Sequence, residues 1–382
     1  MKMSMFSRRT LIATQSAGLF LALSNNWLRP LGAQTSPLAP WAVAPNSDPR
    51  LNAMGWAVLA PNPHNRQPWL VRLEGADSLT LYVDLDRRLP VTDPLDRQIL
   101  IGLGCFAEQF RIAASAQGLE AQITPFPEGE PQPRLDARPI ARITLRPGAA
   151  ADPLFAAVPQ RRSSKQPYDL AREVPQEALA TLRSALLSPV GFGARAGDIA
   201  AIRDLVWRAW MIEVETPAAH LESVNLMRLG SPAVATNPDG ISIWGPQFDP
   251  AVAQGVITHA AMLQGGEGYG MMTGMYRAML SATNAYVWLT TPGNSRAEQF
   301  AAGRDWVRLN LAATASGLAL HPVSQALPEY PEMDGPRAAL AELLGADGPI
   351  GGQVQMLGRL GHPTRPAAPT PRWPAESRIE RG

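Results

Sequence analysis

Apolar and polar residues follow one another along the chain in patterns that predict amphipathic helices and short strands. Two segments share the helical spacing of their apolar residues, Gly104–Leu119 and Gly303–Leu318, and in each a second glycine lies fourteen residues after the first. That glycine is placed where a helix commonly ends. A short strand containing Tyr-Val precedes each helix, at Leu79–Leu85 and at Tyr286–Thr290. The repeated order predicts two related halves, although two alanine-rich helices can also resemble each other by chance.

The distribution of proline and of helix starts predicts where these halves begin and end. Residues 37–48 form a Pro-rich linker, residues 49–155 the first half and residues 156–376 the second half. Within the second half, a glycine-rich stretch at 265–270 is surrounded by methionines, which is typical of either a flexible cover or an apolar core segment. We therefore mark residues 228–280 as a candidate lid.

The N-terminus has the pattern of an export signal. Residues 1–36 start with basic residues, continue with an apolar run from Leu11 to Leu23 and end in small and polar residues. A helix of that run would rise about 20 Å, which is short of the roughly 30 Å hydrocarbon core of a bilayer. The pair Arg8-Arg9 resembles the twin-arginine motif, so we predict export to the periplasm with the export machinery as a partner. A general secretory signal and an uncleaved membrane anchor are the alternatives.

Charge and cysteine content narrow the classes of function. The formal net charge is +1, which gives no electrostatic basis for binding nucleic acid. The single cysteine, Cys105, excludes an intramolecular disulfide and a cysteine metal cluster, and its apolar surroundings predict a buried, inert thiol. The five histidines lack metal-ligand spacing and no GxSxG motif is present, so we predict neither a metal site nor a catalytic nucleophile.

Two short segments carry candidate binding chemistry. The first, Arg161-Arg-Ser-Ser-Lys165, concentrates positive charge and hydroxyl donors, as a phosphate monoester requires, although it is also compatible with a solvated basic turn. The second, residues 59–69 with the sequence LAPNPHNRQPW, is stiffened by proline and offers amide and imidazole groups that could match a heterocyclic ring. A surface turn stabilised by asparagine is the alternative for this loop.

Together these segments resemble the flavin-binding signatures of the nitroreductase superfamily, in which an RRSxR/K segment of one subunit and a PSxxNxQPW loop of the other flank FMN at a dimer interface. Here each motif occurs once and in a different half. The resemblance is therefore to the single-chain, Acg-like branch of that superfamily, whose first-half signature is similar to residues 86–97. It implies an α+β, nitroreductase-like fold in which two tandem half-domains form an intramolecular pseudo-dimer of mixed sheets wrapped by helices, with one FMN site.

The resemblance also assigns candidate cofactor-binding residues. Those expected at the phosphate and ribityl chain are Arg161, Arg162, Ser163 and Lys165, with Arg372 as a terminal basic contact. Those expected beside the flavin ring are Pro61, Asn62, Pro63 and Asn65 from the loop, and Ser324 and Gln325 from a turn whose backbone N–H would face flavin N5. Asn62 and Pro63 depart from the small hydroxyl residues that are common in the family's loop.

The implied activity is that of an FMN-dependent oxidoreductase that reduces a nitroaromatic or quinone-like acceptor and acts as a monomer. The flavin carries the chemistry in such proteins, so no side chain is expected to act as a nucleophile. Because NAD(P)H is a cytoplasmic reductant, an exported form would need another electron donor or would bind FMN without ordinary turnover. A lidded FMN-binding or sequestering protein is therefore one alternative, and an exported anion-binding module is another.

Overall fold

Two four-stranded sheets with the same strand order organise the chain, of which the computed structural model describes residues 36–187, 191–345 and 352–380. In the first sheet the order is β1-β2-β4-β3, and all neighbouring strands are antiparallel. Its strands are β1 Trp69–Glu74, β2 Ser78–Val83, β3 Leu119–Pro125 and β4 Ala141–Pro147.

The second sheet has the order β5-β8-β10-β9, which repeats the first sheet strand for strand. Its strands are β5 Gly191–Ala196, β8 Ala285–Thr291, β9 Ala319–Pro322 and β10 Gln353–Gly361. At the edge of each sheet a single residue pairs in parallel: Ile379 with Val71, and Ser163 with Leu320. Antiparallel ladders with parallel edges confirm the α+β class with mixed sheets.

Two long helices join the second and third strands of their sheets, and they pack against each other. These are α2 Arg97–Ser115 and α10 Arg296–Ala315. Both helices begin about seven residues before the predicted segments. The Asp93 carboxylate accepts hydrogen bonds from the first turn of α2, and Ser295 with Glu298 forms a capping box at the start of α10. Serine followed three residues later by glutamate is the sequence signature of a helix N-terminus, and the spacing of the apolar residues alone does not include it.

The glycines of the repeated segments have definite structural roles. Gly118 and Gly317 follow the two helix ends with φ of 74° and 69°, as predicted for helix stops. Gly104 and Gly303 lie at the crossing of α2 and α10. A Cβ on Gly104 would lie 3.1 Å from Gly303 Cα, and a Cβ on Gly303 would lie 3.0 Å from Gly104 Cα. Matched positions therefore face each other, as at a self-complementary two-fold contact.

The remaining helices cover the sheets and fill the long connection between β5 and β8. They are α1 Pro49–Ala57, α3 Gln176–Ser184, α4 Ala200–Glu215, α5 Pro217–Asn225, α6 Ser231–Thr236, α7 Asp249–Ala253, α8 His259–Met262, α9 Glu267–Ser281 and α11 Asp334–Leu343. Two short parallel strands, β6 Met227–Leu229 and β7 Ile241–Ile243, lie within the same connection. None of the helices in the described ranges is long and apolar enough to span a membrane.

Apolar burial divides into a large core and smaller clusters. The large core includes both long helices and side chains of both sheets, with Trp69 and Trp306 almost completely buried. A small separate cluster in residues 224–262 includes the buried Met262, while Met275 on α9 is exposed. Residues 228–280 thus form short helices and strands that are only partly packed, and their role as a lid stays a prediction.

Two further sequence predictions concern Cys105 and the N-terminal export signal. Cys105 is buried, its Sγ lies 3.1 Å from the carbonyl oxygen of Gly303, and burial raises the pKa of its thiol. A protonated, inaccessible thiol agrees with the expected inert cysteine. The predicted export signal, apart from Ser36, lies outside the described residues.

Candidate functional site

The proline-rich loop at residues 59–69 has an unusual backbone. A short 3-10 turn at Pro63–Asn65 lies inside it, and three non-glycine residues have positive φ: His64 at 47°, Asn65 at 51° and Gln67 at 51°. Each such residue costs about 1 kcal/mol or more relative to ordinary backbone. Contacts from elsewhere in the chain must therefore hold the loop in this shape.

The loop packs closely on helix α2. Pro61 is buried, and a Cβ on Gly102 of α2 would lie 3.1 Å from both Asn62 Cβ and Pro63 Cδ. The side chain of Asn62 accepts the backbone N–H of Gln67 at 2.7 Å. Asn62 thus stabilises the bend of the loop, and the prolines form a stiff wall against the helix.

Buried amide side chains connect the loop to two distant segments. Gln67 is fully buried; its Oε1 accepts from the backbone N–H of Trp373 at 2.8 Å, and its Nε2 donates to the carbonyl of Pro238 at 2.8 Å. Asn65 donates to the carbonyl of Pro371 at 3.0 Å and accepts a hydrogen bond from Arg372. The loop, the C-terminal segment and the 238–240 segment are therefore one hydrogen-bonded unit.

The basic segment lies directly against this loop. Arg161 is 2% exposed, and its Nη2 donates to the carbonyl of Leu59 at 2.8 Å. Ser163 pairs with Leu320 at the edge of the second sheet, which fixes the segment beside β9. The two motifs, separated by about a hundred residues in sequence, are thus neighbours in space.

Two further arginines lie beside Arg161, and Lys165 follows it four residues later in the chain. Arg372 is 4% exposed and donates to the carbonyls of Leu59 and Ala60 at 3.3 and 3.2 Å. The guanidinium of Arg162 lies 4.0 Å from the centre of the Trp41 ring. Lys165 is accessible, and within the described ranges it has no hydrogen bond or ion pair.

These four cations have no carboxylate partner among the described residues. Desolvation and the neighbouring Arg162 lower the pKa of Arg161 to about 10, and desolvation lowers the pKa of Arg162 to about 10. Desolvation, then Arg161 and Arg162, hold the pKa of Arg372 well below its usual range. Desolvation also lowers the pKa of Lys165. The cluster is an uncompensated positive site.

Unpaired donors point to the same conclusion. The Nε and Nη1 atoms of Arg161 and the Nε atom of Arg372 are buried without a hydrogen-bond partner in the part of the chain that the structure describes. The buried Glu108 shows the paired alternative, since its carboxylate lies 2.9 Å from both Arg304 and Arg308. Because buried charges are normally paired, an anion is the ligand that this cluster would accommodate.

The third candidate segment, Ser324–Gln325, lies on a 3-10 turn directly after β9, the strand that is bridged to the basic segment. Gln325 Oε1 accepts a hydrogen bond from the hydroxyl of Tyr276 at 2.8 Å. His321 on the same strand is buried; desolvation first, then Arg359 and Lys165, holds the pKa of its imidazole well below its usual range. The turn is thus joined to the basic segment through β9.

The candidate lid and the neighbouring helix α5 each contact the proline-rich loop. Gly240 donates its N–H to the carbonyl of Asn65 at 3.2 Å, next to an ion-pair cluster around the buried Asp239. The partners of Asp239 are Arg87 at 2.8 Å, Arg228 at 2.7 Å and Arg66 at 3.4 Å. Ser223 Oγ also lies 3.3 Å from His64 Nε2. Desolvation, followed by Lys165 and Arg66, lowers the pKa of His64 to about 4, so its imidazole is neutral at pH 7.

Sequence reasoning did not include three residues that complete this arrangement: Trp41, Asp239 and Trp373. No motif marks the two tryptophans, and Asp239 lies in an Asn-Pro-Asp-Gly stretch that indicates only a turn. Their importance depends on contacts between distant parts of the chain. Two surface cavities of about 370 and 420 Å³ lie elsewhere, beside His362 and Leu221, and no side chain of either motif lines them.

Comparison with known proteins adds relatives in sequence. Over 352 residues the chain is 27% identical to a Mycobacterium tuberculosis protein named "Putative NAD(P)H nitroreductase", with 87% of this chain and 93% of that protein covered. A protein of the same organism named "Putative NAD(P)H nitroreductase acg" is 38% identical over 76 residues, which cover 20% of this chain and 23% of that protein. Nitroreductase-type proteins, acg included, are thus among the relatives of this chain.

Other comparisons are weaker. No family model matches the chain. An FMN-bound nitroreductase from Bacteroides fragilis is 16% identical, with 57% of this chain and 92% of that one covered and a TM-score of 0.34. The FMN-dependent nitroreductase NfnB from Mycobacterium smegmatis is 20% identical, with 53% and 84% covered and a TM-score of 0.31. The description of the fold therefore rests on the sheet topology alone.

Proposed function

We propose that the protein is an FMN-binding oxidoreductase of the nitroreductase superfamily, of the single-chain Acg-like branch. The observation that carries this proposal is the cluster of Arg161, Arg162, Lys165 and Arg372, which lacks a carboxylate partner among the described residues and lies where the two motifs meet. The names of the sequence relatives support the family, and the motifs support FMN as the anion.

The donors present fit the phosphate of FMN. A phosphate monoester carries up to two negative charges and accepts several hydrogen bonds at once. Arg161 offers its unpaired Nε and Nη1, and Lys165 offers an accessible ammonium. A rigid set of cations needs little reordering on binding. The phosphate would thus supply the charge that the protein lacks at this point.

The remaining candidate residues fit the rest of the cofactor. Pro61 and Pro63 would form a stiff wall beside the flavin ring, and the Ser324–Gln325 turn would lie at another of its edges. Bound FMN supplies two-electron transfer chemistry at its ring. The chain's own residues bind the phosphate, orient the ring and exclude water, and none of them needs to act as a nucleophile.

The repeated sheet order and the Gly104–Gly303 contact support an intramolecular pseudo-dimer with a single site. In this arrangement one half provides the loop with Asn62 and Asn65, and the other provides the basic segment with Ser163. A monomer would then complete the site that a two-chain protein forms between subunits.

A closed FMN-binding or sequestering protein is the second candidate. The observation that favours it is the docking of the candidate lid onto the loop through Pro238 and Gly240, next to the contact of Ser223 on α5 with His64. An anion-binding module without flavin is the candidate outside this class, since the cations alone would retain a phosphate.

The visible spectrum of the purified protein separates these functions. A flavin absorption band, present on purification or gained with added FMN, supports both flavin functions, and a protein that never gains one contradicts both. In the flavin-loaded protein, anaerobic bleaching by NAD(P)H or by dithionite, followed by return of the flavin band when an aromatic acceptor is added, indicates an oxidoreductase. A flavin that neither reductant bleaches indicates a closed store.

A double variant tests the phosphate assignment. Arg161→Ala with Lys165→Ala should weaken FMN retention by at least about a hundredfold, because each of the two lost charge-assisted contacts is worth roughly 1.5–3 kcal/mol. Arg138→Ala, which removes an exposed arginine paired with Asp136, is the matched control. Equal retention in the double variant and the control would refute the assignment.

A further inference from the structure

Residues 36–43 lie against the cation cluster. Trp41 ends a short 3-10 turn that begins at Ala39. Its ring lies under two of the cations, with the guanidinium of Arg162 at 4.0 Å and that of Arg372 at 5.9 Å from the ring centre. The N-terminal segment is therefore part of the wall of the site.

Backbone and side-chain contacts anchor the same segment. The indole N–H of Trp41 donates to the carbonyl of Thr370 at 2.7 Å, and the backbone N–H of Arg372 donates to the carbonyl of Pro37 at 3.0 Å. Pro37 is buried. Both anchors connect to residues 370–372, so the position of Arg372 depends on the segment.

The chemistry of the contact suits an anion site. An aromatic face attracts a guanidinium without neutralising its charge, whereas a carboxylate would form an ion pair and occupy the donors. Trp41 thus holds Arg162 and Arg372 in place while leaving their charge free for a ligand. Trp41 contributes a ring face and no charge to the site. An anion that draws Arg162 and Arg372 together should therefore stabilise the docked segment further.

We propose that Trp41 is a positioning residue of the anion site and that residues 36–42 form a clasp that docks more firmly when the anion is bound. Binding and docking then stabilise each other to the same extent, as linkage requires. With FMN as the anion, this inference rests on the proposed function; with inorganic phosphate as the anion it does not.

Hydrogen exchange of the full chain tests the coupling directly. In the wild type, FMN and, separately, inorganic phosphate should slow amide exchange in residues 37–42. In Trp41→Ala neither ligand should slow it. Ligand-dependent protection that survives in Trp41→Ala, or wild-type exchange that neither ligand changes, would overturn the inference.

Retention of the ligand gives a second readout. Trp41→Ala should release FMN about tenfold faster on dilution, since a desolvated cation–π contact and a hydrogen bond are lost. Trp41→Phe keeps a ring face, so its rate of FMN release should lie between those of the wild type and Trp41→Ala. Tyr82→Leu is the matched control, because it removes an arginine–aromatic contact at 4.9 Å from Arg72, outside the cluster. Release from Trp41→Ala as slow as from the control counts against the clasp.

The two proposals fail in different ways. If the wild type never binds FMN but inorganic phosphate still protects residues 37–42, the flavin function fails and the clasp stands. If FMN binds and its release is the same in Trp41→Ala and the wild type, the flavin function stands and the clasp fails.

Discussion

Replacing Arg161 by methionine should stabilise the ligand-free protein while reducing its stabilisation by FMN or phosphate. Methionine keeps most of the length of the side chain and removes its charge. Arg161 is 2% exposed and has one hydrogen bond, to Leu59, whose carbonyl retains Arg372 as a second donor. The substitution therefore removes a buried charge without leaving an acceptor unpaired.

The magnitude follows from the pKa. A decrease from the usual 12.5 to about 10 corresponds to about 3 kcal/mol against the charged form in the folded state. Because the pKa is lower in the folded than in the unfolded state, this penalty is complete at pH 7, where both states carry the charge. It disappears only as pH rises from about 10 through 12.5. After allowance for the lost hydrogen bond, a gain of about 1 to 2 kcal/mol is expected.

Thermal unfolding in phosphate-free buffer at pH 7, with and without FMN, measures both effects. Arg304→Met is the matched control, because Arg304 lies 2.9 Å from Glu108 and its loss weakens a buried ion pair. The control should unfold at a lower temperature than the wild type and keep its FMN shift. If Arg161→Met behaves like the control in both respects, the cluster does not hold an uncompensated charge.

Three further predictions concern packing, the loop and pH. Gly104→Ala should destabilise the protein by more than about 2 kcal/mol in a denaturant titration, because its Cβ would overlap backbone of the facing helix. Gly270→Ala, which has open space around it, should be neutral or slightly stabilising in the same titration. Gln67→Leu should cost about 2 to 4 kcal/mol, since it leaves a buried N–H and a buried carbonyl unpaired; an unchanged unfolding midpoint would contradict the role of Gln67 in holding the loop. Desolvation, then Glu222, raises the pKa of the buried Glu213 carboxyl to about 7, so its ionisation destabilises the fold as pH rises from about 4.5 through 7. Glu213→Gln should accordingly stabilise the protein at pH 8 and leave it unchanged at pH 4, and a gain that is equal at both pH values would show another cause.

The fold could be predicted where local signals and periodicity agree. Both long helices, their glycine stops and the strands that precede them were predictable because apolar spacing and glycine conformation are local properties. The predicted helix starts lie too late, because Asp93 caps α2 from across a turn and the Ser295–Glu298 capping box precedes the repeated apolar pattern. The matching order of the two sheets could not be derived, because strand pairing depends on distant residues.

The candidate site was predictable only as far as its motifs. The short motifs at 59–69 and 161–165 carry chemistry that is recognisable from residue type, and they are neighbours in the structure. The roles of Trp41 and Asp239 depend on partners roughly 120 to 330 residues away, such as Arg162, Arg66 and Thr370, and no local pattern reports such contacts. The side-chain amide of Asn65 likewise has distant protein partners, since it donates to the carbonyl of Pro371 and accepts a hydrogen bond from Arg372.

The distribution of the site along the chain has a consequence for stability. Its cations and supports come from residues 36–42, 59–67, 161–165 and 370–373, which span most of the described chain. A ligand that neutralises the cluster therefore joins both halves and both ends of the described chain at one point. Binding free energy adds directly to the stability of the folded state. Removal of either end should thus reduce ligand affinity and ligand-dependent stability together, even though the two motifs themselves remain intact.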